Sequence, residues 1–198
     1  MPRYKIKRKD IIRENEVKEL IDKLGSPQDK AMVSMLYLFG ARPCEIMTLK
    51  REDFKTDGKK IFVVFETRKK KGKVSRLIIP NRKLWCYSDD IFARYILEYV
   101  VTIPQGSRVF HYGSTEKSTN TLINRRLKRQ NPNLCPYLFR HTRNTLIAEN
   151  GGSESSLVVW NGWSDGRPAK FYVEHTQKMI DNVPSPKSED KHESTNNK

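Results

Sequence analysis

Apolar positions follow two different rhythms along this chain. From Glu14 to Leu24, Val17, Leu20, Ile21 and Leu24 recur at helical spacing with Glu and Lys between them. That pattern predicts an amphipathic helix, stopped by Gly25-Ser26-Pro27. A more apolar helix is expected over about Gln28 to Phe39, ending at Gly40, a residue suited to a helix C-cap. Pro43 then suits the first turn of a third short helix through Leu49. Beyond it the rhythm becomes extended. Ile61-Phe62-Val63-Val64-Phe65 and Arg76-Leu77-Ile78-Ile79 are β-rich runs flanking Arg68-Lys69-Lys70-Lys71-Gly72-Lys73, which predicts a β-hairpin with a strongly basic tip. Helical spacing resumes at about Asp89 to Val101, Thr119 to Gln130, Tyr137 to Asn150, Glu154 to Trp160 and Arg167 to Glu174. No internal repeat is visible. The expected fold class is mainly α with a small antiparallel β-sheet (α+β), in a single domain.

The segment from Asp181 to Lys198 has one apolar residue among Ser, Asn and charges. Burial there cannot offset the entropy of ordering, so residues 181–198 are expected to form a disordered polar tail. The 198 residues suffice for a sizeable core. Lys plus Arg number 38 against 23 Asp plus Glu, a formal charge of +15. The tail carries three Lys and four acids, or −1, so the other residues hold about +16. The excess belongs to the folded body, which disfavours a neutral metabolic enzyme and points to a polyanionic partner. Mean hydropathy is −0.73. The most apolar run, Met32 to Ala41, is broken by Ser34 and is about half the length of a membrane span. The basic N-terminus never reaches an apolar stretch, so no secretory signal is read. Basic amphipathic helices are also missing, and no membrane partner is expected. Cys44, Cys86 and Cys135 are odd in number and widely spaced. They fit neither a disulfide framework nor a zinc knuckle, and read as reduced, intracellular thiols.

Three segments could carry chemistry. In Gly40-Ala41-Arg42-Pro43-Cys44-Glu45-Ile46-Met47-Thr48-Leu49, Arg42 opens a helix and Glu45 lies one turn on, able to orient the guanidinium. Taken alone, this is a surface pair at i,i+3 worth about 0.2–0.5 kcal/mol. In Pro136-Tyr137-Leu138-Phe139-Arg140-His141-Thr142, a basic pair sits within an apolar stretch, so Arg140 should face a cleft or an ion partner. The third is Trp160-Asn161-Gly162-Trp163-Ser164, with Tyr172 nine residues after Trp163. A lone tyrosine on such a helix is more often a core or rim residue than a nucleophile.

Their order and spacing together resemble the catalytic domain of the tyrosine recombinases, the lambda-integrase, Xer and Cre family. Gly40, Arg42, Glu45 and Leu49 fit its Gly-x-Arg-x-x-Glu-x-x-x-Leu box, and the basic hairpin follows. Arg140, His141 and Thr142 fit its Arg-His-Thr helix. Gly162, Trp163 and Tyr172 fit its closing Gly-(His or Trp) step and nucleophile. The resemblance covers about Asp10 to Thr176. It implies a tyrosine recombinase catalytic-domain fold over residues 10–180, preceded by a basic arm at residues 1–9.

The resemblance implies DNA strand cleavage and rejoining through a 3′-phosphotyrosine, for site-specific recombination or integration. Double-stranded DNA would be the partner, with self-association on DNA. Transesterification places added negative charge on two non-bridging phosphate oxygens. Two Arg forks match that geometry and stay charged at neutral pH, and by the family's pattern these are Arg42 and Arg140. Tyr172 would attack phosphorus. A free tyrosine is only about 0.1% ionised at pH 7, so it needs a cationic pocket. The phosphodiester energy is kept in the covalent bond, so no metal, ATP or other cofactor is expected. The leaving 5′-oxygen would take a proton from a hairpin lysine, Lys70 or Lys71 depending on how the hairpin is counted. Lys69 and Lys73 would contact the phosphate backbone.

The sequence departs from the pattern in places. Tyr137 stands where the family usually has His or Lys; it can hydrogen-bond a phosphate but is a poor acid or base at neutral pH. Trp163 replaces a frequent histidine and can still donate its indole N–H. His141 either packs the helix or touches the site, and His175 reads as a packing or orienting residue. Arg125, Arg126, Lys128 and Arg129 form either a groove contact or a solvated face. Most family members close a clamp around DNA with an N-terminal helical domain. Here only Pro2 to Lys9 precedes the first helices, suggesting a shortened chain or a minimal recombinase that uses this arm. Two other functions keep the same residues, a catalytically impaired DNA-binding regulator and a type IB topoisomerase-like relaxer. The expected location is cytoplasmic and DNA-associated, or inside the host of a virus or plasmid.

Overall fold

The computed structural model describes residues 10–66 and 81–173. Its elements are α1 (Glu14–Asp22), α2 (Pro27–Phe39), α3 (Pro43–Ile46), β1 (Phe54–Thr56), β2 (Lys60–Glu66), β3 (Asn81–Tyr87), α4 (Ile91–Val100), α5 (Glu116–Gln130), α6 (Pro136–Glu149), α7 (Glu154–Asn161) and α8 (Arg167–Val173). The mainly helical class with one small antiparallel sheet is the observed one. The basic arm, the hairpin tip with Arg76–Ile79, His175 and the polar tail lie outside the described residues.

The central element is α2. Ala31, Met32, Val33, Met35, Leu36, Leu38 and Phe39 are buried around its circumference, as expected for a helix that is apolar on every side. It packs against α4 and α6. Its end depends on Gly40, which takes the left-handed conformation at φ 60° and donates its N–H to the Leu36 carbonyl at 3.0 Å. A Cβ at Gly40 would also stand 3.4 Å from the Arg140 Cα and 3.3 Å from the Arg143 Cβ. Glycine therefore serves twice here, in the backbone turn and in the close approach to α6.

The sheet runs β1-β2-β3, antiparallel throughout. Phe54 pairs with Val63, Val63 with Leu84, and Phe65 with Arg82. On β2, Ile61, Val63 and Phe65 point inward; on β3 the inward positions are Arg82, Leu84 and Cys86. The strand that follows β2 and pairs with it among the described residues is thus Asn81–Tyr87, which was not expected from the sequence. With an arginine at one of its three inward positions, this segment lacks the continuous apolar signature of a strand. The three-residue β1 was likewise too short to read. The third helix stops at Ile46 rather than Leu49, and Thr48 Oγ1 donates to the Glu45 carbonyl at 2.9 Å in the turn beyond. The next residues pair sideways instead, with Val109 N–H donating to the Leu49 carbonyl at 2.9 Å.

A second, smaller apolar cluster lies at the far end of α6. Ala148, Leu157, Ala169 and Tyr172 are buried together, with Ile147, Val158, Trp163 and Val173 packed around them. It joins α6, α7 and α8, and it seats Tyr172.

Candidate functional site

Arg42 caps α3, and the Glu45 carboxylate reaches back to accept its backbone N–H at 2.8 Å. With the Glu45 N–H donating to the Arg42 carbonyl at 2.9 Å, this side-chain contact pins the arginine's backbone. Its guanidinium lies 3.5 Å from Glu45 Oε1 and its side chain is 41% exposed, so it is held yet accessible. Glu45 itself is buried and serves more than one cation. Arg82, on the inward face of β3, donates to Glu45 Oε1 and to the Trp160 carbonyl. Arg140 Nη1 stands 4.0 Å from Glu45 Oε2. The bland surface pair suggested by the local sequence is, in the fold, part of a cluster of three guanidiniums around one buried carboxylate.

Arg140 is buried on α6. It donates from Nη1 to the Gly40 carbonyl at 2.8 Å and from Nη2 to the Asn161 carbonyl at 3.1 Å. Both acceptors are helix-terminal carbonyls, whose partial negative charge suits a cation. Burial, and then the like charge of Arg42, press its basicity below that of an ordinary guanidinium, with Glu45 opposing them. An arginine so placed keeps its proton at neutral pH. The strain in the cluster is an excess of positive charge, which a bound anion would relieve.

Tyr172, on α8, is buried against the Trp163 ring (6.2 Å between centroids, 15° between planes) and the His141 ring (5.5 Å). Trp163 follows Gly162, whose φ of 61° turns the chain out of α7. The Arg140 guanidinium lies 5.9 Å from the Trp163 ring centre. Burial raises the Tyr172 pKa; the Asn144 amide and the Arg140 charge pull it down, while Tyr137 favours the protonated phenol. A cavity of about 950 Å³ opens here, lined by Arg42, Tyr137, Arg140, Asn144, Trp163 and Tyr172 with neighbours from α5 and α8. Cys44 also lines it. Burial, with the charges of Glu45 and Glu116, raises that thiol's pKa, so it is poorly suited as a nucleophile.

Five of the residues singled out in the sequence thus meet at one cavity: Arg42, Tyr137, Arg140, Trp163 and Tyr172. Glu45 lies behind the arginines and His141 behind the tyrosine. Helix α5 divides its basic residues. Arg125, Lys128 and Arg129 line a shallow recess with Asn120 and Asn124, which also line the larger cavity, so the two adjoin. Arg126 points elsewhere, pairing with Asp29 at 2.6 Å and lying over the Tyr112 ring. Lys69, Lys70, Lys71 and Lys73 are outside the described residues. Sequence reading missed Arg82, Asn144 and Asn161. Arg82 alternates with Leu84 and Cys86, but that inward register is visible only once the strand is known.

The sequence model of the phage integrase family matches residues 10–179. The chain belongs to the phage integrase family. This family match spans both arginine boxes, the hairpin region and Tyr172. Among curated proteins, the phage integrase chain is 26% identical over 164 residues to transposase A from transposon Tn554 of Staphylococcus aureus. That similarity covers 75% of this chain and 44% of the transposase, so the chain spans under half the length of that relative. Among solved structures, a XerH site-specific recombinase bound to its difH substrate superposes with a TM-score of 0.63 at 14% identity, covering 89% of this chain and 53% of that one. The catalytic domain of bacteriophage HP1 integrase superposes at 0.55 with 18% identity, covering 86% and 90%. These two superpositions establish the integrase catalytic fold. Among the described residues, no helix is long and apolar enough to cross a membrane, and no three His, Cys, Asp or Glu side chains group as a metal site.

Proposed function

We propose that this phage integrase family chain cleaves and rejoins DNA strands in site-specific recombination or integration, with Tyr172 as the nucleophile. The observation that carries the proposal is the convergence of a tyrosine and two arginines on one cavity, where Arg42, Arg140 and Lys117, with Arg82 behind them, outnumber the Glu45 and Glu116 carboxylates. A phosphodiester supplies the missing anion. Arg42 and Arg140 bind its non-bridging oxygens, and their donors oppose the charge that develops in the transition state. The Tyr172 hydroxyl gives up its proton to solvent as its oxygen attacks phosphorus; the bond to the 5′-oxygen breaks, and that oxygen takes a proton from Lys70 or Lys71, which regains one from solvent. The products are a 3′-phosphotyrosine and a 5′-hydroxyl. Rejoining is the same displacement in reverse, by a 5′-hydroxyl that can belong to a second duplex. Bonds and charges balance without ATP or metal. Trp163 stacks the nucleophile's ring, and Tyr137 contributes a hydroxyl to the phosphate. The relatives named for transposition and site-specific recombination, some solved on DNA, support DNA as the substrate. Strand exchange requires copies of the chain to assemble on DNA.

The test is incubation with negatively supercoiled plasmid in EDTA without ATP, quenched with detergent. Wild type is expected to give relaxed topoisomers and protein-linked nicked DNA. Tyr172→Phe should bind DNA and form no adduct. Arg42→Ala and Arg140→Ala should each slow cleavage on the order of 10²–10³-fold with modest loss of affinity. An adduct that survives Tyr172→Phe would refute the nucleophile. Exchange between two marked sites separates recombination from relaxation alone.

A further inference from the structure

We infer that Asn144 donates a hydrogen bond from its side-chain amide to the Tyr172 oxygen as that oxygen becomes a phenolate, and that Asn161 is the positioning residue that aims it. The inference rests on Tyr172 being the nucleophile and adds two residues that act on it.

Helix geometry places Asn144 one turn after Arg140 on α6, so both face the same cavity. Asn144 and Asn161 are both essentially inaccessible to solvent, at 1% and 0% exposed. The Asn161 Nδ2 group donates to two acceptors, the Leu157 carbonyl at 2.9 Å and Asn144 Oδ1 at 2.8 Å. A backbone carbonyl can only accept, so the Asn161 atom facing Leu157 must be its nitrogen. The Asn144 atom facing that nitrogen must then be oxygen. The orientation of Asn144 is fixed by this chain of donors and acceptors, and its own Nδ2 is directed away from Asn161.

That Nδ2 group makes no full hydrogen bond, although it is buried. Asn144 and Tyr172 line the same cavity, and the amide favours the ionised form of the Tyr172 hydroxyl against the desolvation that opposes it. A buried donor without a proper acceptor is costly, and it gains most by meeting a charged oxygen. A phenolate at Tyr172 supplies one. The Asn161 main-chain carbonyl meanwhile accepts from Arg140 Nη2 at 3.1 Å. One residue therefore sets both the donor at the nucleophile and the arginine beside it.

The test replaces Tyr172 with 3,5-difluorotyrosine, which ionises near neutral pH, and follows its titration by fluorine NMR in the full chain without DNA. Asn144→Ala should raise the midpoint by about one pH unit, the loss of a hydrogen bond to a charged group. Asn144→Asp, which keeps the shape but sets a carboxylate against the phenolate, should raise it further. Asn161→Ala should raise it less than Asn144→Ala. A second measurement needs no Asn144 variant: the side-chain ¹⁵N resonance of Asn144 should shift with the Tyr172 titration and stay still in Tyr172→Phe. Unchanged midpoints in folded variants, or an Asn144 resonance indifferent to Tyr172, would overturn the inference. The plasmid assay separates this outcome from failure of the underlying reading. An adduct that survives Tyr172→Phe refutes Tyr172 as nucleophile, whereas a Tyr172-dependent adduct with unmoved midpoints refutes only the role of Asn144.

Discussion

At the scale of single residues, the decisive quantity is charge in a confined space. Arg42, Arg82 and Arg140 gather around Glu45, and the last two guanidiniums are buried. Burying a cation without full compensation destabilises the fold, so an anion that enters the cavity should stabilise it. Thermal unfolding should therefore shift upward in sulfate relative to chloride at matched ionic strength. Binding at about 100 times Kd adds roughly 2.7 kcal/mol. Sulfate also stabilises proteins generally by exclusion from their surfaces, so the diagnostic is the difference between chains. Arg42→Ala should lose much of the sulfate-specific gain, and an equal gain in both chains would place the anion elsewhere.

At the scale of elements, β3 connects the sheet to the site through one side chain. Arg82 occupies an inward register position beside Leu84 and Cys86 and there contacts Glu45 and the Trp160 carbonyl. Arg82→Met should destabilise the fold by about 3 kcal/mol in urea unfolding, because it leaves a buried carboxylate short of a partner. Adding Glu45→Gln should cost less than the sum of the two single changes, since both act on one pair. Simple additivity would mean that the two residues stabilise the fold separately. The same strand carries a pH signature. Burial pushes the Cys86 thiol up from an ordinary value of 9.0 to about 12. Below pH 9 the thiol is neutral in both folded and unfolded chains and has no effect. Between about 9 and 12 the unfolded chain releases the proton and the folded chain holds it, so stability falls as pH rises. Cys86→Val should flatten that alkaline limb in a denaturation series against pH.

At the scale of the whole molecule, a charge of +15 sets how the protein meets a polyanion. Each phosphate neutralised should contribute about −0.9 to the slope of log affinity against log salt. The fold distinguishes cations that the sequence lists side by side. Arg125, Lys128 and Arg129 border the recess adjoining the site, while Arg126 is engaged by Asp29 across the molecule. Arg125→Ala should make the salt slope shallower by about 1. Arg126→Ala should leave the slope nearly unchanged and lower thermal stability instead. Equal effects on the slope would show that the α5 cations act as a diffuse field.

Much of this molecule was legible in the order of its residues. Among the described residues, periodicity located the helices other than α3, which Pro43 marked, because an amphipathic or wholly buried helix needs apolar residues at intervals that a local window detects. The spacing of the Arg42, Arg140 and Tyr172 boxes identified the family, and charge alone pointed to a polyanion. What the linear pattern could not contain was partnership across long separations. Arg82 reaches Glu45 across 37 positions, and Arg140 reaches Gly40 across 100; no local rule makes either residue require the other. Asn144 and Asn161 look like ordinary polar residues until the packing of α6 against α7 leaves one amide nitrogen a single direction to point. Hydrophobic rhythm is a property of neighbours along the chain. Charge balance, burial and hydrogen-bond direction belong to neighbours in space, and only the tertiary structure decided those.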